Sequence, residues 1–182
     1  LPEESPLYEE MTAISYLNFF ADLYSVPSDV AEQRIHEALD DLDLEHRERR
    51  IGDMSKGMKR KVAIARSLIN DPDVLIYDEP ASGLDPLTTN YIIEFTERLA
   101  AEGKTVVAAI HDLELAARFC DRLALLADGE LLEVAPPESV LTAERLATAF
   151  RTRPAVGTNP VTGTPIVTPP PHGPPPAPPV PV

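Results

Sequence analysis

Only one cysteine, Cys120, occurs in the 182 residues, and tryptophan is absent. A single thiol excludes an internal disulfide framework and fits a reducing compartment. Lysine is scarce too: Lys56, Lys59, Lys61 and Lys104 are the complete set, three of them in one short segment. With a net charge of −14, the chain lacks the broad positive field that nucleic-acid binding requires. No apolar run approaches the ~18 residues of a membrane span, so any membrane role is expected from the aqueous side. The opening Leu1-Pro2-Glu3-Glu4 has no Met, charged leader or apolar leader and reads as a start inside a longer protein. Charge itself is missing from 154–182, which hold twelve of the 20 prolines and no Asp, Glu, Lys or Arg.

What remains is ordinary globular sequence, with 43% hydrophobic residues overall. Ile14, Leu17 and Phe20 recur at helical spacing and predict a helix over 11–23, with Thr12 near its start. Pro27-Ser28-Asp29 breaks the chain before a second helix over 30–42. A third helix begins near Ser55 and stops at Asn70-Asp71-Pro72. The pattern then changes. Val74-Leu75-Ile76-Tyr77 and the TVVAAI run from Thr105 to Ile110 read as strands covered on both faces, as in parallel sheets. Helices are expected over 86–101, 113–120 and 138–150, and a hairpin is expected around Ala127-Asp128-Gly129.

Strands alternating with helices argue for an α/β fold with a mostly parallel sheet, preceded by an α-helical subdomain. Three regions are therefore expected: a helical subdomain over 1–72, a core over 73–153, and a Pro-rich tail over 154–182. Proline fixes φ and removes donors, so the tail is expected to be disordered or polyproline II.

The strongest chemical signal is the apolar run that ends in Asp78-Glu79-Pro80. Two adjacent acids at the carboxyl end of a strand stand where α/β sheets bind ligands. Without a partner, burying them would be costly, so they are expected to face a metal or a polar cleft. Asp78 is the natural Mg²⁺ partner, directly or through water. Glu79 is the natural general base, aligning a water against a γ-phosphate. The bland alternative, a strand that merely ends in acids, would carry about even weight if this feature stood alone.

It has company. Ser82-Gly83-Leu84-Asp85 follows as a small-residue turn entering a helix. Upstream, Ser55-Lys56-Gly57-Met58 opens another helix, where free N–H groups and the helix dipole favour an anion. The bland reading there is an N-cap serine followed by a solvated basic face of Lys59, Arg60 and Lys61. His111 closes the TVVAAI strand, where a neutral imidazole can hydrogen-bond a γ-phosphate or orient the attacking water.

The order and spacing of these elements resemble the ATP-binding cassette (ABC) family, from Leu1 to about Ala135. The resemblance makes Ser55, Lys56, Gly57 and Met58 the signature motif that binds nucleotide. It makes Asp78 the end of the Walker B strand, Glu79 the catalytic carboxylate, Ser82 to Asp85 the D-loop, and His111 the switch histidine. It implies a P-loop NTPase-like core, ATP and Mg²⁺ as cofactors, and a head-to-tail pairing with a second ATPase subunit. Transmembrane permease subunits are the other implied partners, placing the protein at the cytoplasmic face of the membrane. The Ser-Lys-Gly-Met form and the segment from Leu7 to Thr12 resemble exporter-type subunits. Glu3 stands where the family's Q-loop commonly has Gln, and Ala81 where Thr is common before the D-loop.

One part is not in the sequence. A phosphate-gripping loop needs G-x-x-x-x-G-K-[ST] between a strand and a helix. The only Gly-Lys-Thr is Gly103-Lys104-Thr105, but Arg98 stands where the first Gly belongs. It also follows a helix and precedes a strand, the reverse of the required context. The expectation is an ABC ATPase seen in part, inactive alone. The alternative is a natural non-catalytic half-cassette that partners an intact ATPase.

Overall fold

The computed structural model describes Leu1, Pro2 and residues 6–170. It divides into two compact units, Leu1–Ile110 and His111 onward.

In the first unit, three helices come before the first strand. They are α1 (Ala13–Leu23), α2 (Ser28–Asp41) and α3 (Lys56–Leu68). Capping fixes where two of them start: the Thr12 side chain accepts from Ser15 N–H, and the Ser55 side chain accepts from Met58 N–H. Strand β1 (Val74–Asp78) pairs in parallel with β2 (Thr105–Ala109), Val74 opposite Thr105 and Asp78 opposite Ala109. The crossover helix α4 (Pro86–Ala101) has Asp85 as its N-cap and Pro86 in its first turn.

One hydrophobic core spans the whole unit. Tyr16, Leu17, Ile35, Leu39 and Ile64 from the helices share it with Leu75 and Tyr77 of β1 and Ile92, Phe95 and Leu99 of α4. The boundary expected near residue 72 is therefore no break in packing. The helices and the parallel pair bury each other's apolar faces, and the division falls at Ile110 instead. The expectation of strands covered on both faces is also corrected. Leu75 and Tyr77 are buried, while Val74, Ile76 and Val107 on the opposite face are 54%, 65% and 52% exposed. Alternation along the strand, hidden by uniformly apolar residues, sorts them onto two unlike faces.

The Gly103-Lys104-Thr105 step is a helix-to-strand turn, with Gly103 at φ 96°. Lys104 Nζ donates to Asp71 Oδ1 at 2.6 Å and to the Pro72 carbonyl at 3.2 Å. The Lys104 hydrogen bond, then its charge, holds the Asp71 carboxyl below its ordinary 3.8. A depressed carboxylate stabilises the fold above its unfolded value, and that contribution is lost as pH falls through the folded value. Because Asp71 is exposed, the effect is under about 1 kcal/mol. Asp71→Asn is expected to remove this loss, so the variant's urea midpoint should fall less steeply than the parent's below pH 3.8.

The second unit is built from α5 (Leu113–Phe119), the hairpin β3–β4 (Leu123–Ala127 and Glu130–Ala135), α6 (Pro137–Val140) and α7 (Ala143–Phe150). The single helix expected over 138–150 is two, because the Thr142 side chain caps a new start at Arg145 N–H. A further antiparallel hairpin follows, β5 (Ala155–Thr158) with β6 (Pro165–Thr168). This corrects the expectation of a tail disordered from residue 154. Val156 and Val167 pack against a small core of Ala117, Leu141 and Leu146. Pro165 is tolerated as the first residue of its strand, where a missing donor matters least. Residues 171–182, with most of the polyproline expectation, lie outside the described residues. Across the described residues, only β1–β2 is parallel; the other two pairs are hairpins.

Candidate functional site

The site centres on the turn that leaves β1. Asp78 ends the strand on the same face as Val74 and Ile76 and is exposed; Glu79 is half-buried. Glu79 takes φ 44°, in the left-handed region that a non-glycine residue adopts at a cost of roughly 1–2 kcal/mol. The turn is held from several sides. Glu79 N–H donates to the Ala109 carbonyl of β2 at 3.1 Å, and Ser82 N–H donates back to the Glu79 carbonyl at 3.2 Å. Asp78 N–H donates to the Leu1 carbonyl at 2.9 Å, so the first residue lies along the free edge of β1.

The next turn runs through Ser82, Gly83, Leu84 and Asp85, with Gly83 at φ 63°. Asp85 accepts from Leu87 and Thr88 N–H at 3.1 and 3.0 Å and from the Thr88 hydroxyl at 2.6 Å. The Thr88 hydroxyl is the foremost cause of the lowered Asp85 pKa.

The start of α3 packs on this second turn. A Cβ on Gly83 would collide with Lys56 Nζ, and one on Gly57 would stand 3.0 Å from Thr88 Cγ2. Gly57 thus lets α3 come close to the first turn of α4, while at Gly83 the left-handed φ is the requirement, since the Lys56 amine can swing aside. Ser55 and Lys56 are exposed, and Gly57 and Met58 half-buried. The first unit thus sets Lys56 and Gly57 against Gly83 and Thr88, and carries Ser55, Met58, Asp78, Glu79 and the rest of the turn 82–85 within the same unit. His111 is the first residue of the other unit and is exposed, with Asp112 next to it capping α5. Glu3 lies outside the described residues.

The basic stretch after Met58 is not a solvated face. Lys59 pairs with Glu9 at 2.7 Å, and Lys61 Nζ stands 4.4 Å from the centre of the Tyr91 ring. Arg60 is buried at 8% exposure and donates to the carbonyls of Asp78, Glu79, Pro80 and Pro2. Sequence reasoning missed it, although a signal existed. Arg60 shares a helical face with the buried Ala63 and Ile64, three and four residues on.

Among the described residues, no group of three or more His, Cys, Asp or Glu is placed to hold a metal ion. Mg²⁺ does not require one, since it is commonly held by one or two carboxylates together with phosphate oxygens and waters. An exposed Asp78 at the strand's carboxyl end fits that mode. No helix of the described residues is long and apolar enough to cross a membrane.

These elements define the class, an α/β fold of P-loop NTPase type with acids at the carboxyl end of a parallel strand. The family model described as ABC transporter matches residues 1–82. The ABC transporter ATP-binding protein NatA of Bacillus subtilis (strain 168) is 37% identical over 78% of this chain and 58% of its own length. A Nod factor export ATP-binding protein I of Burkholderia orbicola (strain AU 1054) is 33% identical over 79% of this chain and 48% of its own. A metal-chelate type ABC transporter in an inward-facing conformation shares the fold, with TM-score 0.80 at 20% identity over 92% of this chain and 71% of that one. A dimeric ATP-binding cassette in a post-hydrolysis state, bound to ADP and Pi, gives TM-score 0.62 at 29% identity over 72% and 59%. The chain belongs to the ATP-binding proteins of the ABC transporter family. It spans about half the length of the curated relatives it matches.

Proposed function

We propose that this chain is the signature-to-switch portion of an ATP-hydrolysing subunit that drives an ABC exporter. The observation that carries this reading is the Asp78-Glu79 pair at the end of β1, fixed in a left-handed turn within the family-matched segment. In it, Glu79 accepts a proton from the water that attacks the γ-phosphate. Asp78 would hold Mg²⁺, directly or through water, and the ion would supply positive charge to the phosphates. Ser55, Lys56, Gly57 and Met58 engage a nucleotide held by a second subunit, in a head-to-tail pair, through the Ser55 hydroxyl and the open start of α3. His111 contacts the γ-phosphate or the attacking water. The Ser-Lys-Gly-Met form, the segment from Leu7 to Thr12 and the relative named for Nod factor export support the export reading. Permease subunits would supply the membrane path and hold the subunit at the membrane's cytoplasmic face.

Hydrolysis requires a P-loop, which these 182 residues do not contain. The test is the intact mass and ATP turnover of the native protein. A mass well above 19.9 kDa, a Gly-Lys-Ser/Thr loop in the added sequence and Mg²⁺-dependent turnover are expected. The 182-residue chain alone should neither turn over ATP nor retain it. Retention of ATP by that chain would overturn the P-loop requirement. A native mass of 19.9 kDa would instead favour a half-cassette that partners an intact ATPase.

A further inference from the structure

Arg60 is the only charged side chain among the described residues to fall below the burial of the surrounding surface, at 8% exposure. Its guanidinium has fixed donors in a planar fork and is always charged. Four of its hydrogen bonds go to backbone: Nε donates to the Pro80 carbonyl at 2.9 Å, and Nη2 to the Asp78 and Glu79 carbonyls at 3.0 and 3.2 Å. The other arm, Nη1, reaches the Pro2 carbonyl at 2.9 Å. Three successive carbonyls therefore converge on one cation at the point where the chain leaves the sheet. The Glu79 carbonyl is shared with Ser82 N–H, and Arg60 adds donors to it and to its two neighbours across the left-handed turn. Without the guanidinium these carbonyls would lose donors that hold the turn, and Glu79 would be freer to relax toward ordinary φ.

We infer that Arg60 is a positioning residue for Glu79, setting the backbone from which the carboxylate reaches its water. This rests on the proposed hydrolytic reading. The geometry adds a second property. Arg60 belongs to α3, whose first residues form the signature motif, and the turn it grips carries the carboxylate of the same subunit. One side chain thus joins the segment offered to a partner's nucleotide to the base that serves the subunit's own.

The test uses the native subunit with its P-loop and compares Arg60→Gln, Arg60→Lys and Glu79→Gln. Displacement of a catalytic group by about 1 Å can cost about 100-fold. Arg60→Gln is therefore expected to lower kcat by about 10- to 100-fold, with KM for ATP within about threefold. Arg60→Lys keeps the charge and the stem but not the fork, so it should recover part of that loss; it also serves if the Gln variant does not fold. In the Glu79→Gln background, Arg60→Gln should lower the residual rate by less than about twofold, because the residue acts through that carboxylate. A full additional loss in that background, or an unchanged kcat in both Arg60 variants, would overturn the assignment. Amide hydrogen exchange separates this from a failure of the hydrolytic reading. If the parent hydrolyses no ATP, faster exchange at Glu79 and Ser82 in Arg60→Gln still supports the positioning role, and unchanged exchange overturns it.

Discussion

Replacing Glu79 by Gln is expected to lower ATP turnover of the P-loop-containing subunit by about 10²- to 10⁴-fold, the usual contribution of a positioned general base. The amide matches the carboxylate in size and keeps the same backbone, so the left-handed turn and its bonds to Ala109 and Ser82 should persist. What disappears is the ability to accept a proton. KM for ATP should accordingly change little, since the interaction removed is one made in the transition state. Phosphate release measured across ATP concentrations separates the two parameters. A loss smaller than about tenfold would assign the proton to another acceptor.

The largest expected effect on stability lies one turn of strand earlier, at Tyr77. Its ring is 1% exposed in the core shared by the helices and the parallel pair, and its hydroxyl stands 3.1 Å from the Ser67 hydroxyl of α3. Burial, the main cause, raises its pKa above the ordinary 10.0. Tyr77→Ala should cost about 3–5 kcal/mol, the range for removing a buried aromatic ring. Against the ~5–15 kcal/mol that holds a typical domain folded, that is a large fraction. Tyr77→Phe removes only the hydroxyl, and Ser67 still donates to the Ile64 carbonyl at 2.7 Å, so about 1 kcal/mol is expected. Urea unfolding of the two variants should therefore give well-separated midpoints. Equal midpoints would mean that the ring does not anchor β1 to the helices.

Much of this architecture could be read from the chain because its helix starts carry their own signals. Thr12, Ser55, Asp85 and Asp112 each accept backbone N–H groups at the positions where periodicity placed a start. The same chemistry at Thr142 is masked, since Val140, Ala143, Leu146 and Phe150 recur at helical spacing across the break. The β5–β6 hairpin was hidden by proline content. Pro154 and Pro165 sit just before and at strand starts, Pro160 lies in the turn between, and Val156 and Val167 supply the apolar side that packs. The chemical residues of the turn were legible because they are contiguous. Arg60's spacing from Ala63 and Ile64 marks its place on the buried face of α3, but the carbonyls it donates to, 18 to 20 and 58 residues away, leave no mark in a sequence.

The left-handed Glu79 sets selection at odds with stability. Glycine is the residue best suited to φ 44°, so a drift to Glu79→Gly would relieve backbone strain. It would also remove the carboxylate. A screen for thermal resistance alone would thus be expected to reward this change, and a screen for turnover to reject it.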